Sequence, residues 1–214
     1  MADIFQEIEE DLRRERMKRL WDRYGLFVVG ALLALALAAA GWQGWRWYER
    51  DQRAKAAERF AAALATAARG EHGAAIDAFA ALGRDGPAGY RLLARLQEAA
   101  GRGAQGDRAG AVGIYESLAA DASLPPLYRD LAVLLAVLHQ ANDGDAAALS
   151  ARLEPLAAEG APFRHTAREV RAALELRRGD RAAAEALLRR LAEDATAPDG
   201  ARRRAAEVLA SLRG

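Results

Sequence analysis

The residues best suited to acid–base or metal chemistry are three histidines, which lie far apart in the sequence at His72, His139 and His165. No two of them have a metal-ligand spacing such as i, i+4, so we interpret them as turn or helix-surface residues. The run from Asn142 to Asp145 begins like a calcium loop, but the later ligands and the closing glutamate are missing, and a polar turn explains it. Cysteine is absent, and the sequence has neither a glycine-rich phosphate loop nor a nucleophile elbow. The sequence therefore predicts a protein that is not an enzyme and that holds no metal or cofactor.

A stripe of arginines is the main candidate for a binding surface. Arg164, Arg168 and Arg171 recur at helical spacing on what we take to be the first helix of a repeat, the helix that lines the groove of a solenoid. Guanidinium groups in such a groove would hold acidic side chains or a C-terminal carboxylate through bidentate hydrogen bonds. The alternative is a solvated face whose arginines are neutralised by salt bridges. Further candidates for the same groove lie on comparable helices: Arg91, Arg95 and Arg129.

Length and charge narrow the classes of partner. The 214 residues carry 31 basic and 30 acidic side chains, for a formal net charge of +1. No part of the chain is a strongly basic module, so we expect no nucleic-acid partner. We also expect no small-molecule substrate, because the sequence contains no constellation of catalytic residues.

Repeated helix pairs are the elements that position these arginines. Gly-Asp turns recur at 106, 144 and 179, and a degenerate copy, Glu71-His72-Gly73-Ala74, precedes them. A proline then opens the next helix, at positions 87, 125, 162 and 198. Because glycine favours the end of a helix and proline its first position, each period of about 35 residues holds two helices. The pattern predicts an all-α fold, an α-solenoid of about four helix pairs over 71–214 whose last helix is a polar cap.

A single uncharged stretch at 24–45 predicts a transmembrane helix ahead of the repeats. At about 1.5 Å per residue, the stretch is long enough for a bilayer core of about 30 Å. Two alternatives are a signal peptide cleaved after the small residues 38–40 and a buried helix of a soluble core. Aromatic residues suited to the headgroup level flank the stretch: Trp21, Tyr24, Trp42, Trp45 and Trp47.

Small residues recur at every fourth position inside the predicted span, at Gly30, Ala34 and Ala38. Such a stripe would let a second membrane helix approach closely. The alternative is that this chain simply uses alanine throughout. On the first interpretation, the span is a contact surface as well as an anchor.

The predicted span divides the chain into regions. Residues 1–23 form a charged tail, whose helical apolar spacing predicts a short amphipathic helix that either docks on a lipid surface or only orients the anchor. Residues 46–70 predict a connecting helix that continues the span and packs on the first repeat. Six basic residues precede the stretch and five soon follow it, so the positive-inside rule favours a cytoplasmic N-terminus by a small margin.

The period, the small-residue positions and the helix-opening prolines resemble tetratricopeptide repeats. The whole layout, with its charged tail, single span and Gly- and Trp-rich exit at 41–48, resembles a bacterial inner-membrane family of ancillary Sec translocon subunits. This resemblance implies a single-pass protein with a periplasmic repeat domain that links the Sec translocon to periplasmic chaperones or emerging chains. The implied partners are membrane lipid, the translocon and chaperones. An adaptor for envelope assembly, cell division or envelope stress signalling is the alternative.

Overall fold

The computed structural model describes residues 3–213, and the side chains of 3–17, 19, 20, 25, 28, 31 and 213 lie outside the description. The regular secondary structure within residues 3–213 is entirely helical, which confirms the predicted all-α fold. The chain divides into two compact units, Met1–Lys55 and Ala56–Gly214. The helices are α1 (Asp3–Ala68), α2 (His72–Asp85), α3 (Ala88–Ala104), α4 (Arg108–Ala119), α5 (Pro126–Gln140), α6 (Ala146–Leu153), α7 (Arg164–Arg177), α8 (Arg181–Glu193) and α9 (Asp199–Arg213), with a 3-10 turn at Pro155–Ala157.

The first unit consists of the part of α1 that ends at Lys55. Among the residues that the structure describes, no helix is both long enough and apolar enough to cross a membrane. The transmembrane helix predicted at 24–45 is therefore not found as a separate span. These residues are instead the middle of α1, a helix of 66 residues that also carries the charged residues on either side. The amphipathic pattern predicted in the tail falls on side chains outside the description.

Acidic N-cap residues begin the first helix of three pairs. Asp107, Asp145 and Asp180 precede α4, α6 and α8, and their carboxylates accept hydrogen bonds from main-chain N–H groups at 2.9, 2.9 and 3.0 Å. These bonds satisfy donors that have no partner within the helix. Gly106 and Gly179 stand directly before two of these caps with φ of +90° and +86°, a backbone conformation that glycine adopts without strain. The Gly-Asp pair thus ends one helix and starts the next.

The turn before α2 corrects the sequence prediction. The degenerate copy placed at 71–74 is one step late, because the matching pair is Gly70-Glu71: Gly70 has φ of +83° and Glu71 is the N-cap residue. Gly144 is a second departure, since its φ is not positive. Its N–H donates to the carbonyl of Gln140 at 2.8 Å and closes the C-terminal end of α5. The repeated sequence motif therefore covers two different turn geometries.

The repeated prolines lie just before the second helix of each pair. Pro87 and Pro125 are the N-cap residues of α3 and α5, and Pro126 occupies the first turn of α5. Pro162 precedes the N-cap residue of α7, Phe163. A proline has a fixed φ and no N–H, so it is tolerated at the start of a helix but not inside it.

Small apolar cores between residues 56 and 212 hold the second unit together. The end of α1 contributes Ala56 and Ala63, which pack with Phe79 of α2 and Ala94 of α3. Leu64, on the same helix, is 42% exposed. Each helix from α2 to α9 packs on its neighbours in the chain. This is the pattern of a solenoid, in which no unit buries its apolar face alone.

The third pair is the least regular of the four. α6 has only 8 residues, and Pro155 follows at the start of the 3-10 turn. The core nevertheless continues across the break, because Leu153, Leu156 and Leu174 are buried together. The 3-10 turn and the loop after it lead into α7, which carries the arginine stripe.

Candidate functional site

A groove of about 350 Å³ lies between α3, the loop after α4 and the start of α5. This volume is at the lower end of the range for ligand pockets. Most of its surface is apolar, and a few polar groups stand among the apolar side chains. The apolar lining consists of Leu92, Leu93, Leu118, Leu124, Pro125 and Tyr128.

The polar groups of the groove are two arginines of α3 and two residues of the loop. Asp121 Oδ1 accepts hydrogen bonds from the hydroxyl of Ser123 at 2.6 Å and from its N–H at 2.9 Å. These bonds, together with the charges of Arg95 and Arg91, lower the pKa of Asp121. Arg95 donates to Ser117 Oγ at 2.8 Å. Arg91 is exposed, and its guanidinium makes no hydrogen bond with any residue that the structure describes.

The arginine stripe of α7 lies outside this groove and is paired within the fold. Arg168 donates to the Ala157 carbonyl at 3.1 Å, to Asp194 Oδ2 at 3.2 Å and to Glu159 Oε2 at 2.9 Å. Arg164 Nε lies 3.7 Å from the same oxygen of Asp194. The side chains of Arg164 and Arg168 are only 18% and 11% exposed. The stripe is thus a salt-bridged face and not an open guanidinium surface.

Asp194 is the centre of this ion cluster. Its Oδ1 accepts hydrogen bonds from the hydroxyl of Thr196 and from the Thr196 N–H, the latter at 2.9 Å. His165 Nε2 lies 3.2 Å from Asp194 Oδ2. The Thr196 bonds, and after them the charges of Arg164 and His165, hold the pKa of Asp194 well below its usual range. The cluster therefore joins α7 to the loop after α8 as a structural junction.

The other two arginines of the predicted groove are also separate from the α3–α5 groove. Arg171 Nε lies 3.4 Å from Ser150 Oγ, and this hydroxyl donates to Glu175 Oε1 at 2.6 Å. Ser150 and Glu175 are 3% and 6% exposed, so α6 and α7 share a buried polar contact. Arg129 has a buried Nε with no hydrogen-bond partner among the described residues. Only two of the six predicted groove arginines, Arg91 and Arg95, therefore line the α3–α5 groove, while Arg164 and Arg168 meet at Asp194.

Whether the helices that carry these arginines are the first or the second of a repeat depends on where the repeat is taken to begin. Counted from the Gly-Asp turns, α3, α5 and α7 are the second helices of their pairs, which corrects the assignment to first helices. Counted from the prolines, the same three helices are the first of each repeat. The predicted assignment to first helices therefore holds only when each repeat is counted from its proline.

Arginines also form ion pairs between successive repeats, with partners about one repeat period apart in the sequence. These pairs link residues 35 or 36 positions apart; the Arg152–Glu116 pair is part-buried and the other two are exposed. Arg177 adds a related contact, because it donates to the carbonyls of Ala141, at 2.7 Å, and of Gly144 at the end of α5. The ion pairs are Arg108–Asp143 at 2.7 Å, Arg152–Glu116 at 2.6 Å and Arg204–Glu169 at 2.6 Å.

The three histidines occupy unrelated surroundings. His72 is the exposed first residue of α2, and His139 stacks on Tyr115 with ring centroids 5.5 Å apart. His165 belongs to the ion cluster of α7. In the run at 142–145, Asp145 caps α6. No group of three His, Cys, Asp or Glu residues within the described part of the chain is placed to hold a metal ion.

The residues singled out in α1 are exposed in the first unit. A Cβ added at Gly30 would meet nothing within 4 Å, and Ala34 and Ala38 are exposed, so the packing stripe stays a prediction. Large apolar side chains of the stretch are exposed all round the helix, including Leu26 at 86%, Leu33 at 64% and others. The flanking aromatic residues are 50% to 70% exposed: Trp21, Tyr24, Trp42, Trp45 and Trp47.

Sequence reasoning found the α3 wall of the groove through Arg91 and Arg95 but missed the opposite wall. A signal for that wall was present in the loop at 121–125. Asp121 followed two residues later by Ser123 is typical of a side-chain-capped turn, and Leu124 is an apolar residue outside the helical pattern. An apolar side chain held in an ordered turn between two helices indicates a contact across the turn.

Stacked helix pairs that pack on their chain neighbours define a repeat protein of the α-solenoid class. Residues 18–189 match the family model described as a tetratricopeptide repeat-like domain; this is most of the chain, so the protein belongs to that family. The match includes the uncharged stretch at 24–45 as well as the helices that follow. No curated protein and no solved structure matches the chain. Domains of this kind are in general interaction scaffolds for other proteins and not catalysts.

Proposed function

We propose that this protein is a membrane-anchored scaffold at the Sec translocon of a bacterial inner membrane, which links the translocon to periplasmic chaperones or emerging chains. The observation that carries the proposal is the uncharged stretch at 24–45, whose described side chains are exposed, in the same chain as a tetratricopeptide repeat-like domain. The repeat domain supplies the scaffold. The stretch supplies the attachment.

The attachment is argued from the chemistry of the stretch. No Asp, Glu, Lys or Arg lies between Arg23 and Arg46. Its described apolar side chains face outward on all sides of α1, and a helix that is apolar all round needs an apolar surrounding. A lipid bilayer is such a surrounding, with Trp and Tyr side chains at its headgroup level. Lipid is therefore the partner of α1 in this proposal.

The proposed orientation places the N-terminus in the cytoplasm and the repeat domain in the periplasm. The basic residues before the stretch lie on a short tail, where the positive-inside bias is strongest, while a long following domain crosses largely regardless of its charge. The translocon and chaperone partners rest on the resemblance of the layout alone. Tethering next to the exit would raise the local concentration of a weak partner toward the millimolar range.

Purification in mild detergent from cells at native abundance tests the proposal. We expect the Sec translocon to be recovered with the tagged full chain well above background, and recovery at background would refute the translocon assignment. Identification of all recovered proteins would reveal an alternative machine. In the same purification, recovery of the translocon with an Ala34→Leu variant tests the packing stripe, because a bulky side chain in the stripe would block close approach of a second helix. Ala39→Leu, on another face of the exposed helix, is the matched control.

Topology is tested by a C-terminal reporter that is active only outside the cytoplasm. We expect activity, and a signal confined to the cytoplasm would refute the periplasmic assignment. Resistance of the chain to extraction by alkaline carbonate tests membrane insertion itself, and its full release would refute the anchor.

A further inference from the structure

The groove between α3 and α5 offers an apolar site at the surface. Leu118 is 1% exposed and Leu92 is 7% exposed at its base, while Leu93 at its edge is 43% exposed. An exposed leucine next to a concave apolar wall would lose water-accessible area when another apolar side chain enters, and that burial is favourable. The groove therefore suits one bulky apolar side chain of a partner.

The charge of the groove indicates which kind of partner residue would lie next to that apolar side chain. The carboxylate of Asp121 accepts two hydrogen bonds from Ser123, and Arg95 donates to Ser117. Arg91, on the same wall, is exposed and makes no hydrogen bond with a described residue. The two arginines against one aspartate leave the groove with excess positive charge, which complements a carboxylate.

The arginine stripe of α7 does not compete for this role. Arg164 and Arg168 are shared between Asp194 and Glu159 and are largely buried. Extracting either guanidinium to meet a partner would leave the part-buried Asp194 carboxylate with less positive charge around it, which is unfavourable. The exposed guanidinium that could pair with a partner is therefore that of Arg91 on α3.

We propose that the α3–α5 groove binds a segment of a partner protein in which a bulky apolar side chain stands directly beside an acidic one, the apolar group packing on Leu93 and the carboxylate pairing with Arg91. This inference rests on the scaffold function proposed above and names the chemistry of its partner. A basic or purely polar segment does not fit, because it meets positive charge and apolar walls.

Fluorescence anisotropy with defined probe peptides tests the inference on the full chain in nanodiscs of neutral lipid. The probes are dye-labelled peptides with amidated ends, of sequence GSLFEEGS, its neutral counterpart GSLFQQGS and its apolar-deleted counterpart GSGAEEGS. We expect GSLFEEGS to bind about tenfold more tightly than either of the others, because each lacks one of the two contacts.

Two variants with matched controls locate the binding in the groove. Arg91→Gln removes the preference for GSLFEEGS over GSLFQQGS, whereas Arg189→Gln, at an exposed arginine of α8, preserves it. Leu93→Asn weakens both phenylalanine-containing probes by about tenfold. Leu64→Asn, at a leucine with nearly the same exposure on α1, leaves them unchanged. Because all four positions are exposed, we expect the substitutions to leave the fold intact, and circular dichroism checks this.

The inference is overturned by three results: no probe binds, GSLFQQGS binds as tightly as GSLFEEGS, or the groove variants behave like their controls. Occupation of the groove by a second copy of the chain would also overturn it, and would appear as a dimer that Leu93→Asn dissociates. Binding of the probe without recovery of the translocon rejects the proposed location and keeps the groove. Recovery of the translocon without probe binding supports the proposed location and rejects the groove.

Discussion

Replacing Arg168 by methionine distinguishes a structural arginine stripe from a binding surface. Methionine keeps a long apolar side chain in place of the arginine stem but removes all donors. The lost contacts are those to the Ala157 carbonyl, to Asp194 and to Glu159. Because the Arg168 side chain is only 11% exposed, we expect the variant to lose stability while the α3–α5 groove keeps its shape.

The size of the loss follows from the surroundings of each contact. Glu159 is 81% exposed, so its pair with Arg168 contributes at most about 1 kcal/mol. The bonds to the Ala157 carbonyl and to Asp194 are charge-assisted and sheltered, and together they contribute about 2 kcal/mol. The expected loss is therefore about 2–3 kcal/mol, because Asp194 keeps its bonds from Thr196. For a domain of this size, that loss lowers the melting temperature by about 4–12 °C.

Thermal unfolding followed by circular dichroism measures this change in the full chain. Arg91→Met is the matched control, because Arg91 is exposed and makes no hydrogen bond with the described residues. We expect its melting temperature to stay within about 1 °C of the parent. An unchanged melting temperature in Arg168→Met, or an equal loss in both variants, would refute the structural interpretation of the stripe.

Three further predictions concern the apolar core, the ion cluster of Asp194 and two glycines. Leu153→Ala, at a fully buried side chain, should lower the free energy of unfolding by about 2–5 kcal/mol in chemical denaturation, and Leu64→Ala by far less. Asp194 has a lowered pKa, so its contribution to stability is present at neutral pH and is lost as the pH falls below about 4; the gap in melting temperature to Asp194→Asn should narrow in acid. Gly113→Ala, inside α4 with open space around it, should stabilise by about 0.5–1 kcal/mol, whereas Gly179→Ala should destabilise by about 1 kcal/mol because its φ is +86°. A gain in stability at Gly179 would contradict the assigned turn.

The repeated helix pairs could be predicted because local chemistry sets their boundaries. Asp107 and Asp180 cap helices with their own carboxylates, and the glycines before them adopt a backbone conformation that few other residues share. Both signals depend on neighbouring residues only, so they survive in the sequence. The first turn was misplaced because Glu71 stands where aspartate stands elsewhere and makes no side-chain cap bond.

The binding surface could be predicted only in part because spacing along a helix does not reveal the partners across it. Arg164 and Arg91 look alike in the sequence. The difference lies in Asp194, 30 residues beyond Arg164, and in the loop that brings it back to α7. Long-range pairs of this kind leave no periodic trace. The groove had the same limitation, because Leu118 and Tyr128 contact α3 only through the path of the loop at 121–125, which helical spacing does not reveal.

The ion pairs that span one repeat period have a consequence for cooperativity. In a stacked repeat protein, the sharpness of unfolding reflects how strongly each unit is coupled to the next. Arg108–Asp143 and Arg204–Glu169 add exposed charges to that coupling, and salt screens exposed charges over about 8 Å at physiological ionic strength. The apolar cores are not screened in this way. High salt should therefore weaken the coupling between neighbouring repeats while the apolar cores stay intact, so that thermal unfolding becomes somewhat less cooperative.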